Sequence, residues 1–250
     1  LLKVREAAEQ MLEGMKLSLQ RLKVEADSYF HESDLIATGV VDKVIENLKQ
    51  SKLCDEESGA YYLNLEAEGI AGRNQKFFFT RKNGLSLYTT RDIAYHLNKF
   101  NRCDTALNIL GEDHKLQGKL LGIALRELKS KEPRNLFYSF VNLPGGKMST
   151  RAGRVVYLDD IMEQIVELAK QKLGEDTSQR GRWKADIKED QKEELAEEIG
   201  IGALRYNILK IQAEKGFTFN IEEALNLQGD SAPFVMYSHA RTSSILRKYG

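Results

Sequence analysis

The feature that most constrains this chain is the order of hydrophobic periods between residues 90 and 143. "TTRDIAYHLNKF" places apolar side chains at helical spacing behind a threonine that can cap, and "TALNILG" is a short apolar run ending in glycine. "HKLQGKLLGIALRELKS" returns to the helical period, and "NLFYSFVNL" is a second β-like run. Two strands joined through a helix must lie parallel, because only a long crossover returns the chain to the same end of a sheet. Such sheets bind ligands outside the carboxyl ends of their strands. Both ends here open into polar, glycine-bearing loops, Gly111-Glu112-Asp113-His114 and "PGGKMSTRAG" at 144 to 153.

The flanking segments fill out an α/β chain that becomes helical. Residues 1 to 23 read as an amphipathic helix, "VEADSYFHES" as a short strand leading to a cap at Ser33 or Asp34, and residues 37 to 51 as a second helix. "AYYLNL" at 60 to 65 and "KFFFT" at 76 to 80 read as strands of a hairpin region, followed by the turn pair Asn83-Gly84. Past residue 158 strand signals nearly vanish, and helices are expected at 158 to 173, 185 to 214, 221 to 227 and 231 to 249. A charged linker, "GEDTSQRGRWKADIKED", lies between the first two. Lys plus Arg equals Asp plus Glu at 37 each, so any nucleic-acid or membrane site has to be local. Cys54 and Cys103 lack metal-ligand spacing and suit a reducing, cytoplasmic setting. No apolar run reaches the length of a membrane span.

Four groups of residues can carry chemistry. In the "PGGKMSTRAG" loop, glycines let backbone amides approach an anion and Lys147 supplies an ammonium, which fits either a phosphate-handling loop or a polar surface turn. The spacing of a Walker loop is absent. Tyr88 and Asp92 put a hydroxyl and a carboxylate on one side of a helix start, a pattern shared by ligand sites and by ordinary N-terminal carboxylates. At the other strand end Gly111 permits close approach, Asp113 can accept two hydroxyl hydrogen bonds, and His114 can serve either a ligand or a helix cap. Arg205, Arg241 and Arg247 lie among aromatics in the helical tail, a solvated basic face that can also meet an RNA backbone. No cluster of His, Cys and carboxylates suggests a protein-held metal.

Taken together these strings resemble the arginyl-tRNA synthetases, a class I family. "KMSTR" is similar to their second signature loop, "YTTRD" to their arginine-binding segment and "ILGEDH" to the strand end beside the ATP ribose. The resemblance implies that Lys147, Met148 and Ser149 attend the ATP phosphates, with Lys147 stabilising developing pyrophosphate charge. It implies that Gly111 and Asp113 hold the ribose and that Tyr88, Asp92 and His114 hold arginine. Arg205, Arg241 and Arg247 would touch tRNA. The implied fold is the second half of a Rossmann-like parallel-sheet domain, followed by an all-α helical region. Its expected parts are residues 1–157 in the catalytic domain with the insert between its halves, 158–228 in a stem-contact region and 229–250 at the start of an anticodon-binding domain. Implied substrates are ATP with Mg2+, L-arginine and tRNA(Arg), with no zinc, no membrane and a monomeric full-length protein. The family's first signature, His-x-Gly-His, occurs nowhere in the 250 residues. The chain alone is therefore expected to be a central fragment that does not form arginyl adenylate. A non-catalytic RNA-binding module or a paralogue derived from a class I synthetase is the alternative. A cysteine-specific class I enzyme is disfavoured by Tyr88, Asp92 and the missing zinc ligands.

Overall fold

The computed structural model of the chain describes residues 2–70, 72–144, 156–174 and 188–249. In chain order the elements are α1 (Leu2–Arg21), α2 (Glu32–Ala37), α3 (Val40–Lys49), β1 (Cys54–Glu57), β2 (Ala60–Asn64) and β3 (Lys76–Phe78). They continue with α4 (Tyr88–Phe100), β4 (Leu107–Gly111), α5 (Lys115–Glu127), β5 (Arg134–Tyr138) and β6 (Val141–Asn142). After these come α6 (Leu158–Gly174), α7 (Glu189–Leu209), β7 (Phe217–Thr218), α8 (Ile221–Ala224) and α9 (Ala232–Tyr249). Contacts divide the chain into two units, one of Ser28–Ser139 and one joining Leu1–Asp27 to Phe140–Gly250.

The first unit carries the expected parallel pair. β4 and β5 run parallel in the register Leu107↔Arg134 to Gly111↔Tyr138, with α5 as the crossover. Gly118 lets α5 lie close, since a Cβ there would sit 3.2 Å from Asn135 Nδ2. A separate antiparallel sheet, β1-β2-β3, pairs Glu57 with Ala60 across Ser58 and Gly59, whose φ values are +52° and +85°. Positive φ at both loop positions is the geometry of a two-residue hairpin turn, and a Cβ on Gly59 would lie 2.8 Å from the Lys82 carbonyl oxygen. The core of the unit gathers Val44, Leu48, Leu63, Phe79, Ile93, Leu121 and Leu125.

The N-terminus of α4 is fastened to β3 and the residue after it by side chains rather than by a cap. Leu87 stands at the cap position, while Thr89 Oγ1 donates to the Phe78 carbonyl at 3.1 Å and Thr90 Oγ1 donates to the Phe79 carbonyl. The threonines thus spend their hydroxyls on a neighbouring strand instead of on the helix's own amides. Three other expectations change. Residues 24–31 form no strand and pair with neither sheet of the unit; α2 follows with His31 at its cap position instead of Ser33 or Asp34. β1 is polar and largely exposed, which hid it from a hydrophobic reading. The run 134–142 divides into β5 and β6, which pair with different strands.

The second unit is built on α6 against α7, with Met162, Ile165, Ala196, Ile199 and Leu204 buried between them and their neighbours. α1 joins it through Arg21, whose Nε and Nη2 donate to the two oxygens of Glu197 at 2.7 and 2.8 Å while Nη1 reaches Glu163 at 2.6 Å. The hydrogen bonds from Arg21 hold the Glu197 carboxyl below its usual range. The short strands β6 and β7 pair in parallel, and Asn220 caps α8 by accepting the Glu222 and Glu223 amides. The expected helices at 185 to 214 and 221 to 227 stop earlier, at Leu209 and Ala224.

Gly200 fixes how closely α7 approaches α6: a Cβ there would meet the Val166 side chain at 2.9 Å and its backbone at 3.0 and 3.1 Å. Gly200→Ala is expected to destabilise the unit by about 1–3 kcal/mol, because backbone cannot step aside. Gly202→Ala, whose added methyl meets the flexible end of Met236, is expected to be near neutral, helped by alanine's better helix propensity. Urea unfolding midpoints of the two variants test this contrast.

Candidate functional site

A cavity of about 480 Å³ in the first unit is lined by Phe30, Glu32, Leu35, Tyr88, Arg91, Asp92, Tyr95, Leu110, His114 and Gln117. Its position follows from the local fold. Tyr88 and Asp92 lie one helical turn apart on the first turns of α4, and Leu110 and His114 flank the carboxyl end of β4. The rings of Phe30 and Tyr95 pack with centroids 4.9 Å apart, giving the cavity an apolar wall. Arg91 Nε lies 2.7 Å from Glu32 Oε1, so that cation is already matched.

Asp92 also faces a second cavity of about 280 Å³, shared with Tyr95, His96, Lys99, Asn108, His114 and Gln117. Here a buried polar chain appears that reading the sequence did not single out. His96, only 4% exposed, sets Nδ1 at 2.9 Å from the Asp92 carbonyl oxygen and 3.2 Å from Asp92 Oδ1. Its Nε2 lies 3.1 Å from Asn108 Oδ1. Lys99 Nζ donates to that same Oδ1 at 3.0 Å, and Asn108 Nδ2 donates to Asn135 Oδ1 at 3.2 Å. Because an ammonium can only donate, Lys99 fixes which end of the Asn108 amide is oxygen. Nδ1 of His96 therefore faces acceptors, and the nearer contact of Nε2 is the Asn108 oxygen, with the Lys99 ammonium farther off at 3.5 Å; a doubly protonated ring satisfies both of the shorter contacts.

Burial, the largest influence on His96, opposes that charge, but hydrogen bonds to Asp92 and Asn108 outweigh it and raise the imidazole above its ordinary value. Burial pushes Lys99 down. A histidine raised on folding contributes stability that is complete below about pH 6.5 and is lost as the pH climbs past the raised value. Thermal unfolding scans across that range are expected to show a fall in Tm that His96→Gln removes. The signals for this network were a histidine four positions after Asp92 on a helix and an asparagine inside an apolar strand.

The other singled-out residues fall as follows. Gly111 ends β4, and a Cβ on it would stand 2.6 Å from Asp113 Oδ1, so the glycine keeps the Asp113 carboxylate close to the strand end. Asp113 and His114 are both more than half exposed, with Asp113 Oδ2 3.8 Å from His114 Nε2. His114 occupies the cap position of α5 without a capping hydrogen bond and lines both cavities instead. Lys147, Met148 and Ser149 lie outside the described residues. Arg205 is half-buried on α7, whereas Arg241 and Arg247 are exposed on α9, where Arg241 Nη1 donates to the Tyr237 hydroxyl at 3.4 Å. Among the described residues no group of His, Cys, Asp and Glu is arranged to hold a metal ion, and no helix is long and apolar enough to cross a membrane.

A family model described as "tRNA synthetases class I (R), catalytic domain" matches residues 4–221. The chain is 44% identical over 98% of its length to an arginine--tRNA ligase of Methanocella arvoryzae, covering 42% of that protein. It is 42% identical over 95% of its length to an arginine--tRNA ligase of Methanocaldococcus jannaschii, covering 39% of that one. The chain thus spans about two fifths of the length of the curated relatives it matches. The fold is shared with the Thermus thermophilus arginyl-tRNA synthetase, at a TM-score of 0.82 and 24% identity over 99% of this chain and 46% of that one. The parallel βαβ unit with polar strand ends, the family match over most of the chain and these relatives agree: the chain belongs to the class I tRNA synthetase (R) catalytic-domain family.

Proposed function

We infer that the whole protein is an arginine–tRNA ligase and that this chain supplies its amino-acid cavity. The observation that carries the reading is the Asp92 carboxylate, held by His96 in the lining of an aromatic-walled cavity with Tyr88 one turn before it. A planar guanidinium is best matched by a carboxylate of fixed orientation, and an aromatic wall suits the apolar stem beneath it. Tyr88 and His114, which line the same cavity, orient the rest of the amino acid. Gly111 and Asp113 receive the ATP ribose, while Lys147, Met148 and Ser149 close on the phosphates, with Mg2+ carried in by ATP itself.

In this reading the arginine carboxylate attacks the α-phosphorus of ATP, expelling pyrophosphate, and a terminal ribose hydroxyl of tRNA(Arg) then displaces AMP from the adenylate. The residues of this chain act by positioning and by charge, with Lys147 opposing the negative charge that develops on the leaving pyrophosphate. Residues 1–157 form part of the catalytic domain, 158–228 a stem-contact region and 229–250 the start of an anticodon-binding domain, with Arg205, Arg241 and Arg247 facing the tRNA backbone. The full-length protein acts as a monomer in the cytoplasm. The ligase names carried by the relatives support this reading over a non-catalytic RNA-binding module.

The test is ATP–pyrophosphate exchange by the product of the full reading frame, with tRNA present, across all amino acids. Arginine alone should support exchange, and Lys147→Ala should slow it by about 10²–10³-fold while leaving arginine binding intact. Exchange supported equally by lysine, or untouched by the Lys147 change, contradicts the assignment.

A further inference from the structure

The His96 network does more than fill a buried space, because its charge is set against the charge of any cation entering the cavity. Resting on the reading of this cavity as the arginine site, we propose that His96 is a positioning residue for Asp92 which holds the carboxylate through Nδ1–H and gives up its Nε2 proton when a guanidinium binds.

The groups facing His96 define both states. From α4 come the Asp92 carboxylate at 3.2 Å, the Tyr95 ring packed edge-on at 5.8 Å between centroids, and the Lys99 ammonium 3.5 Å from Nε2. From β4 comes Asn108, backed by Asn135 of β5, and from α5 come His114 and Gln117 on the shared cavity wall. With the cavity empty, Asp92 has the imidazolium as its counter-charge, and Nε2–H donates to Asn108 Oδ1. A guanidinium at Asp92 adds a third cation beside His96 and Lys99 within a partly buried space, where Coulomb repulsion is poorly screened. His96 is the group that can relieve it. The Nδ1–H stays on the ring and goes on donating to Asp92, the proton on Nε2 leaves to solvent, and the bared Nε2 can accept from Lys99 Nζ, already 3.5 Å away. The ring therefore keeps its grip on Asp92 in both protonation states while its charge changes.

Linkage makes the consequence reciprocal: arginine lowers the proton affinity of His96, and protons weaken arginine binding. The experiment is isothermal titration of L-arginine into the full-length protein at about pH 7 in buffers of different ionisation enthalpy, with Kd followed from about pH 6 to about pH 8. The expected result is release of a substantial fraction of a proton per arginine and a Kd that tightens by about tenfold across that range, the effect of roughly one proton per pH unit over part of the span. Release should vanish in His96→Gln, which should also bind arginine about ten- to a hundredfold more weakly through loss of a charged hydrogen bond. Absence of release from the wild-type protein, or release that persists in His96→Gln, overturns the proposal; the wild type decides it even where His96→Gln does not fold. Asp92→Asn separates the two readings. If it leaves arginine affinity unchanged, the site assignment fails. If it weakens arginine while the wild type shows no linked proton, only the role of His96 fails.

Discussion

Asp92→Asn is expected to raise the arginine concentration required for half-maximal activation by about 30-fold to several thousand-fold, equivalent to roughly 2–5 kcal/mol for removing one partner of a desolvated charge pair. The amide keeps the shape of the side chain and a hydrogen-bonding oxygen, so the loss isolates charge. It also turns one of the two acceptor atoms into a donor, so a bidentate guanidinium meets an N–H where it needs an oxygen. The fold should be little affected, because Asp92 is partly exposed and its backbone carbonyl still accepts from His96. Arginine titrations of tRNA-dependent pyrophosphate exchange measure the effect, and a half-saturating concentration within about threefold of the wild type would mean that the guanidinium is bound elsewhere.

The second large effect is on stability. Phe79→Ala is expected to cost about 3–5 kcal/mol, since the ring is fully buried and its removal leaves a cavity that the surrounding sheet and helices close only in part. Phe79 joins the site to the core through its backbone as well as its ring. Its amide donates to Tyr61 at 3.0 Å, and its carbonyl accepts both Leu87 N, at 3.3 Å, and the Thr90 hydroxyl. The start of α4, which carries Tyr88 and Asp92, is therefore anchored on the residue that the substitution loosens. Hydrogen exchange should speed up first at the amides of the first α4 turns, together with a lower urea midpoint. A loss of unfolding free energy smaller than about 1 kcal/mol would show that the ring is not a keystone of this unit.

How much of this could be read from residues alone depends on where the information is carried. The βαβ core was legible because α4, β4, α5 and β5 each have a long or clean period, and a parallel pair is what such an order requires. Tyr88 and Asp92 were legible for a related reason: helical spacing alone brings them to one wall. β1 was hidden because the burial of its sheet falls on Tyr62 and Leu63 of the central strand, leaving Asp55, Glu56 and Glu57 in solvent. The division of residues 134–142 was hidden because neither half looks different locally; the break is imposed by partners distant in sequence, Ala106 to Gly111 on one side and Phe217 to Phe219 on the other. Thr89 and Thr90 resembled caps, and only the proximity of β3 diverts their hydroxyls. The His96 network was the most consequential omission. Asn108 and Asn135 come from two strands, and the Asn108 amide is oriented by a lysine on a helix, so the charge on His96 depends on three elements at once.

The central claim is that the Asp92 cavity recognises a cation of guanidinium shape, and the direct test compares L-arginine with L-citrulline, its neutral near-isostere, in equilibrium binding to the full-length protein and to its Asp92→Asn variant. The account predicts that the wild type prefers arginine by about 30-fold or more and that the preference falls to within a few-fold in the variant. Equal binding of the two amino acids by the wild type, or a preference for arginine that survives unchanged in Asp92→Asn, would contradict it.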